Sequence, residues 1–406
     1  MSAAALDLEL LREAHGGFCV ARSEGKVVFV RGGIPGERVL ARVTQENAHH
    51  SIADVVEVVT PSPDRVAHIW PEAGRAGVGG VDLGHVAPDA QRRWKGNVIG
   101  DVVRRIGGER LAEEFGPVEV RAVGEYATGT RTRVSFVADD KGRLAMRRPR
   151  SHETVAVHDM PLAVPEFARL GLFEDAWLWA PGETVAAVVP SASPPVVVTG
   201  DAVRSAPGRA ALRRVREEVR HGGHLLRYVV DAAGFWQVHR DAPRVLVERV
   251  LGDAALTGGE SVLELYAGAG LFTAPLADAV GPTGAVVSVE GSVTAVDNAN
   301  VNLAGRPQVR AWAGTVDVRA VGDGPVDVVV LDPPRTGAGT VVMRAILARG
   351  PGRIVYVACD PAALARDLAE CLGEYRVEHV EAFDLFPHTH HVETVVCLAR
   401  RGSPRP

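Results

Sequence analysis

From Ser261 to Leu398 the chain alternates short β-branched runs with Gly- or Pro-bearing loops and helix-like stretches, and this alternation restricts its fold more than any other feature. The runs are Ser261-Val-Leu-Glu-Leu265, Ala285-Val-Val-Ser-Val289, Val326-Asp-Val-Val-Val-Leu331, Arg353-Ile-Val-Tyr-Val-Ala358 and Val392-Glu-Thr-Val-Val-Cys-Leu398. Strands alternating with helices predict an α/β unit: a doubly wound, mostly parallel sheet whose ligands sit outside the carboxyl ends of its strands. Residues able to carry chemistry are therefore sought at those ends.

The 406 residues suffice for two or three domains, each with its own core. Residues 1–60 read as a small β-barrel: Phe18 to Ala21, Lys26 to Arg31, Arg38 to Val43 and Ile52 to Val59 are short strands separated by glycine turns. Residues 61–235 mix helix and strand as a central α+β unit, and 236–406 hold the doubly wound sheet. With 46% hydrophobic and 23% charged residues, long disorder is excluded. No apolar run approaches membrane-spanning length, and Asp7, Glu9 and Glu13 stand where a secretory leader would be basic or apolar, so the expected location is cytoplasmic and no membrane partner is expected.

The net charge of -5 conceals an uneven distribution: residues 61–245 carry +3, while 1–60 carry -2 and 246–406 carry -6. Basic residues gather between Arg121 and Arg150 and again from Arg204 to Arg220. Such clusters suit phosphate contacts or, equally, a solvated charged face. The four cysteines, Cys19, Cys359, Cys371 and Cys397, form none of the close pairs that hold zinc or iron-sulfur clusters.

In Val262-Leu-Glu-Leu-Tyr-Ala-Gly-Ala-Gly-Leu-Phe-Thr273, Gly268 and Gly270 follow a strand, where missing side chains let a ligand approach the backbone. Glu290 ends the next strand, placed to accept hydrogen bonds from ribose hydroxyls. That pairing suits a dinucleotide or S-adenosylmethionine, and the absence of a third glycine at Phe272 or Thr273 disfavours the dinucleotide. Prolines stiffen the loop Leu331-Asp-Pro-Pro-Arg-Thr-Gly337 that presents Asp332. Cys359 precedes Asp360, a plausible N-cap, and Pro361, so it stands at a helix N-terminus whose dipole favours thiolate. Glu393 lies among apolar strand residues, where partial desolvation makes it a candidate general base. His388, His390 and His391 read as neutral loop histidines rather than metal ligands.

Together these stretches resemble the RNA 5-methyluridine methyltransferase family, whose bacterial members modify 23S ribosomal RNA or the T-loop of transfer RNA. The resemblance rests on the order of Asp-Pro-Pro-Arg335, Cys359-Asp-Pro361 and Phe386-Pro-His-Thr-His-His-Val-Glu393, and on Phe235-Trp-Gln-Val238 ahead of the catalytic unit. Lys26 to Val39 is similar to the TRAM domain, an RNA-binding barrel. The resemblance implies a class I methyltransferase fold in which Gln237, Tyr266, Gly268, Gly270, Glu290 and Asp332 hold S-adenosylmethionine, Cys359 is the nucleophile and Glu393 the base. It further implies methyl transfer to C5 of a uridine in ribosomal or transfer RNA, ribosomal RNA being favoured, through a cysteine adduct at C6.

Three departures from the family accompany the match. Trp70, Val78, Val81 and Met160 occupy positions where some members hold an iron-sulfur cluster through cysteines, so no cluster is expected and packed core is predicted in its place. Asp360 replaces the usual asparagine beside the nucleophile, and Leu271 the asparagine of the glycine loop. Two other readings compete: an exocyclic amino methyltransferase, which would need no cysteine, and a nonenzymatic RNA-binding or folding factor.

Overall fold

The computed structural model describes residues 5–402 apart from Tyr126, Pro149, Arg150 and Asp175, so Arg150 of the first basic cluster lies outside the described residues. Six strands build the N-terminal barrel-like sheet: Leu6–Glu9, Arg12–Ala14, Phe18–Ser23, Lys26–Arg31, Arg38–Glu46 and His50–Thr60. Register shifts between the last two bend the sheet, and a parallel pairing of Lys26–Arg31 with His50–Thr60 joins its halves. Leu6–Glu9 and Arg12–Ala14 are absent from the sequence reading because each is very short and carries acidic or basic side chains that mask its apolar face.

The central region carries a seven-stranded antiparallel sheet running from Thr154–Ala156 at one edge to Arg209–Ala210 at the other. Trp70, Val78, Val81 and Met160 are all buried in its core together with Phe136 and Trp177, giving the packing predicted at those four positions. A separate hairpin, Arg214–His221 with His224–Asp231, turns at Gly222 and Gly223, both with positive φ as a tight two-residue hairpin loop requires.

The C-terminal sheet has eight strands in the order Val309–Ala313, Ala285–Glu290, Ser261–Leu265, Val328–Leu331, Arg353–Ala358, Glu393–Arg400, Tyr375–Asp384 and Val120–Ala122. The first five are parallel, and Glu393–Arg400 runs antiparallel between its neighbours. Helices cover both faces. Ala242–Ala254, Thr273–Val280 and Val293–Asn302 pack on one, Thr340–Ala348 and Pro361–Ala369 on the other. The fold is the α/β doubly wound class expected.

Elements from before residue 236 also build the C-terminal sheet and its core. Val120–Ala122 pairs with Ala382 to Asp384 as the outermost strand of the C-terminal sheet, and helix Pro88–Val102 buries Trp94, Val98 and Ile99 in the core that also holds Leu331 and Tyr356. Lys95 donates from this helix to Asp384 Oδ1 at 2.5 Å and to the Phe386 carbonyl at 3.0 Å, with both charged groups buried. The same core takes in Leu8, Val30 and Val39 of the barrel. No helix among the described residues is long and apolar enough to cross a membrane.

Candidate active site

Strand order reverses at Ser261–Leu265, which has Ala285–Glu290 on one side and Val328–Leu331 on the other. Sheets of this kind bind ligands at that switch point, because the flanking loops diverge there and leave a crevice. Glu290, Tyr266, Asp332 and Cys359 each end or follow a parallel strand at this edge. Glu393 reaches the same edge because its strand is antiparallel: Ala358 pairs with Thr394, which sets Cys359 beside Glu393. Five of the expected residues thus stand side by side across one sheet edge.

The glycine loop is shaped for an occupant. Tyr266 has φ +63, a conformation that costs a non-glycine residue roughly 1–3 kcal/mol and is retained chiefly at functional sites. Gly268 has φ +56, and a Cβ there would meet open space, so the backbone faces an accessible crevice. Glu290 bridges two amides, accepting from Gly268 at 2.9 Å and from Ser292 at 2.8 Å. Behind the loop, Asn302 donates to the Ala269 carbonyl at 2.9 Å and Tyr228 to the Leu271 carbonyl at 2.9 Å, tying the hairpin to the turn. The Leu271 side chain is buried in the adjoining core.

Glu264 is a residue the sequence reading missed. It is 1% exposed, and neither carboxylate oxygen makes a hydrogen bond among the described residues. Burial raises its pKa to about 8, against the nearby Thr273 hydroxyl and with repulsion from Asp332 and Glu290. A buried carboxylate without a donor beside a glycine loop fits a ligand that brings a cation or an N–H.

Around Cys359 the field opposes ionisation. Burial raises its pKa to about 12, with Glu393, Asp332 and Asp360 adding to the rise and Arg335 pulling the other way. The helix-dipole argument alone therefore fails here, since desolvation and three carboxylates outweigh it. Asp332 is raised to about 7 by burial, and Glu393, 4% exposed, lies well above the ordinary glutamate range through burial and the charge of Asp332. Asp360 is the cap expected, its Oδ1 accepting from Ala362 and Ala363, each at 2.9 Å.

Gln237 is buried and lines a cavity of about 310 Å³ with Thr132, Glu166, Arg169, Glu217 and His239, a cavity that none of Tyr266, Glu290, Asp332, Cys359 or Glu393 lines. The loop histidines are held by protein groups. His388 contacts Gln91 at 3.0 Å and His390 contacts Asp82 at 2.7 Å, while burial lowers His388 to about 4 and His391 to about 3. No cluster of His, Cys, Asp or Glu suited to a metal ion occurs among the described residues.

The two basic clusters separate in the structure. Arg121, Arg133, Arg143 and Arg148 pair with Glu381, Glu217, Asp139 and Glu153. Arg209, Arg214, Arg216 and Arg220 are exposed and make no ion pair among the described residues, leaving them free for phosphate.

Comparison with known proteins identifies the family. Residues 5–56 match the TRAM domain and 314–401 match the tRNA (uracil-5-)-methyltransferase family. An RNA methyltransferase of Streptomyces avermitilis, itself uncharacterized, is 41% identical across 97% of both chains. The 23S rRNA (uracil(1939)-C(5))-methyltransferase of Alkalilimnicola ehrlichii is 31% identical over 96% of this chain and 95% of its own. Among solved structures, the Pyrococcus abyssi tRNA (uracil-54, C5)-methyltransferase in complex with S-adenosyl-L-homocysteine aligns over 97% of this chain and 99% of its own, with a TM-score of 0.70 and 21% identity, which speaks to fold. With glycine loop, Asp-Pro-Pro-Arg loop, capped cysteine and strand glutamate on one sheet edge behind a TRAM barrel, the chain belongs to the RNA (uracil-C5)-methyltransferase family.

Proposed function

We propose that this protein methylates C5 of a uridine in 23S ribosomal RNA, in the cytoplasm, through a covalent adduct between Cys359 and C6 of the base. The observation that carries the reading is the register that sets Cys359 beside Glu393, with Asp332 on the neighbouring loop. Tyr266, Gly268, Gly270, Glu290 and Asp332 are assigned to S-adenosylmethionine, with Glu264 added: an open backbone turn, a carboxylate for ribose hydroxyls and an unpartnered buried carboxylate for a cationic group. When bound, that molecule supplies an electrophilic methyl group. Gln237 is assigned to S-adenosylmethionine on the family match, from a cavity shared with none of those residues.

C5 of uracil is too weak a nucleophile on its own, and each of the chain's groups addresses that difficulty. The Cys359 thiol yields its proton to a neighbouring carboxylate as the Sγ–C6 bond forms and the C5=C6 electron pair moves toward O4. C5 then carries carbanion character and takes the methyl. Glu393, a stronger base than an ordinary glutamate because it is buried, removes the C5 proton; the C5=C6 bond reforms and the sulfur leaves. A uridine must be flipped from its stack to reach the edge, and the exposed arginines of the hairpin offer contacts for the flanking backbone.

Nucleoside mass spectrometry of ribosomal and transfer RNA from cells lacking the gene, incubated with the protein and S-adenosylmethionine, tests the reading. It expects 5-methyluridine in 23S RNA with the intact protein and none with Cys359→Ala. Product in transfer RNA alone would overturn the substrate class. A methylated amino group made by the Cys359→Ala variant would overturn the chemistry.

A further inference from the structure

The turn joining Arg12–Ala14 to Phe18–Ser23 in the barrel lies against the carboxyl edge of the C-terminal sheet. Gly17, at φ +77, packs so closely that a Cβ would sit 2.7 Å from Asp82 Oδ2 and 3.4 Å from His390 Cβ. Only glycine permits this approach. Next to it, His15 Nε2 is 3.5 Å from Asp360 Oδ2, and its ring meets that of His390 edge-on at 6.3 Å. Asp360 commits Oδ1 to the two helix amides, so Oδ2 is the oxygen that faces the barrel.

The charged groups around this contact are few. His15 faces Asp360 and His390, and His390 is itself paired with Asp82. Its neighbours on the same strand turn elsewhere, Arg12 to Asp101 and Glu13 to Asn97. Cys359 faces Glu393, Asp332, Asp360 and Arg335. Among the described residues, Asp360 is the one of those acids with a partner from the barrel.

Resting on Cys359 as the nucleophile, we propose that His15 is a positioning residue: reaching from the barrel to Asp360, it offsets the carboxylate beside the thiol and couples barrel docking to the reactivity of Cys359. An asparagine at 360 would cap the helix without a charge and need no such partner. Asp360 brings a negative charge to the nucleophile, and the barrel supplies a ring nitrogen that faces its free oxygen. The RNA-binding module is thereby part of the catalytic centre, not a tethered handle.

The test compares full-length wild type, His15→Gln, Asp360→Asn and the double variant. The readout is the rate of iodoacetamide alkylation of Cys359 over a pH series, followed by mass spectrometry of the Cys359 peptide; Cys19, Cys371 and Cys397 are buried and are read separately. His15→Gln should slow alkylation by about 3- to 10-fold at fixed pH, shifting the profile to higher pH. Asp360→Asn, which keeps the cap, should speed it, and the double variant should match Asp360→Asn, since the two residues act as one unit. With RNA, His15→Gln should lower kcat and leave KM for RNA unchanged. Equal slowing by His15→Gln in both backgrounds, or an unmoved alkylation profile, overturns the proposal. Because alkylation requires no RNA product, coupling between His15 and Asp360 in a protein that makes no 5-methyluridine would sustain the link and defeat the functional reading instead.

Discussion

Glu290 accepts the Gly268 amide at 2.9 Å, so the end of one strand holds the turn that follows its neighbour. The carboxylate shapes the glycine loop and, in the proposed function, also meets a ribose. Glu290→Ala should weaken S-adenosylhomocysteine binding by about 10- to 100-fold in titration calorimetry, the size of one or two charge-assisted hydrogen bonds. Undiminished binding would remove Glu290 from the cofactor site.

In the proposed mechanism Glu393 is needed only after the methyl group has been transferred, since its work is on the C5 proton. Glu393→Gln should therefore allow attack by Cys359 and block its release. A protein–RNA band resistant to denaturing electrophoresis should accumulate with this variant in the presence of S-adenosylmethionine, and should vanish when Cys359→Ala is added. Free methylated product at the wild-type rate would contradict the assignment.

The buried Glu264 makes cofactor-free protein sensitive to pH. Its pKa, about 8 when folded against 4.5 for a free glutamate, means that the folded state holds the proton more tightly. Stability is thus unaffected below about pH 4.5, falls as pH rises toward 8, and is level beyond, a total of a few kcal/mol at about 1.4 kcal/mol per unit. Glu264→Gln should flatten the decline of Tm with pH between those limits. A decline identical to wild type would place its cause elsewhere.

Lys95 and Asp384 form a buried pair that pins helix Pro88–Val102 to the end of strand Tyr375–Asp384. Removing one partner strands the other charge, so Lys95→Met should cost about 3–5 kcal/mol in urea unfolding, whereas Lys95→Met with Asp384→Leu should recover most of it. Additive losses would show that the two charges do not act as a pair.

Much of this arrangement was legible in the chain. The parallel strands announce themselves because both faces are buried, giving near-continuous Val, Ile and Leu runs such as Val328–Leu331. Val309–Ala313 and Tyr375–Asp384 were not seen: the former carries Arg310 and an exposed Trp312, and the latter carries Arg376, Glu378, His379 and Glu381 toward the edge of the sheet. Tyr266, Asp332 and Cys359 could be placed because each adjoins a strand end marked by glycine or proline. Glu264 could not, since an acid inside an apolar run carries no sign of whether the fold satisfies it. His15 lies 345 positions before Asp360, and only the docking of the barrel brings the two together.

The pairing of Val120–Ala122 with Ala382 to Asp384 also governs how the molecule is made. During synthesis the helix at 88–102 emerges with Trp94, Val98 and Ile99 uncovered, and the sheet that will cover them is not complete until strand Glu393–Arg400 has been made, about 290 residues later. An early segment must wait for a late one. A fragment beginning at residue 236 would lack its edge strand and the helix across one face, so the C-terminal sheet draws on residues 88–122 as much as on those after 236.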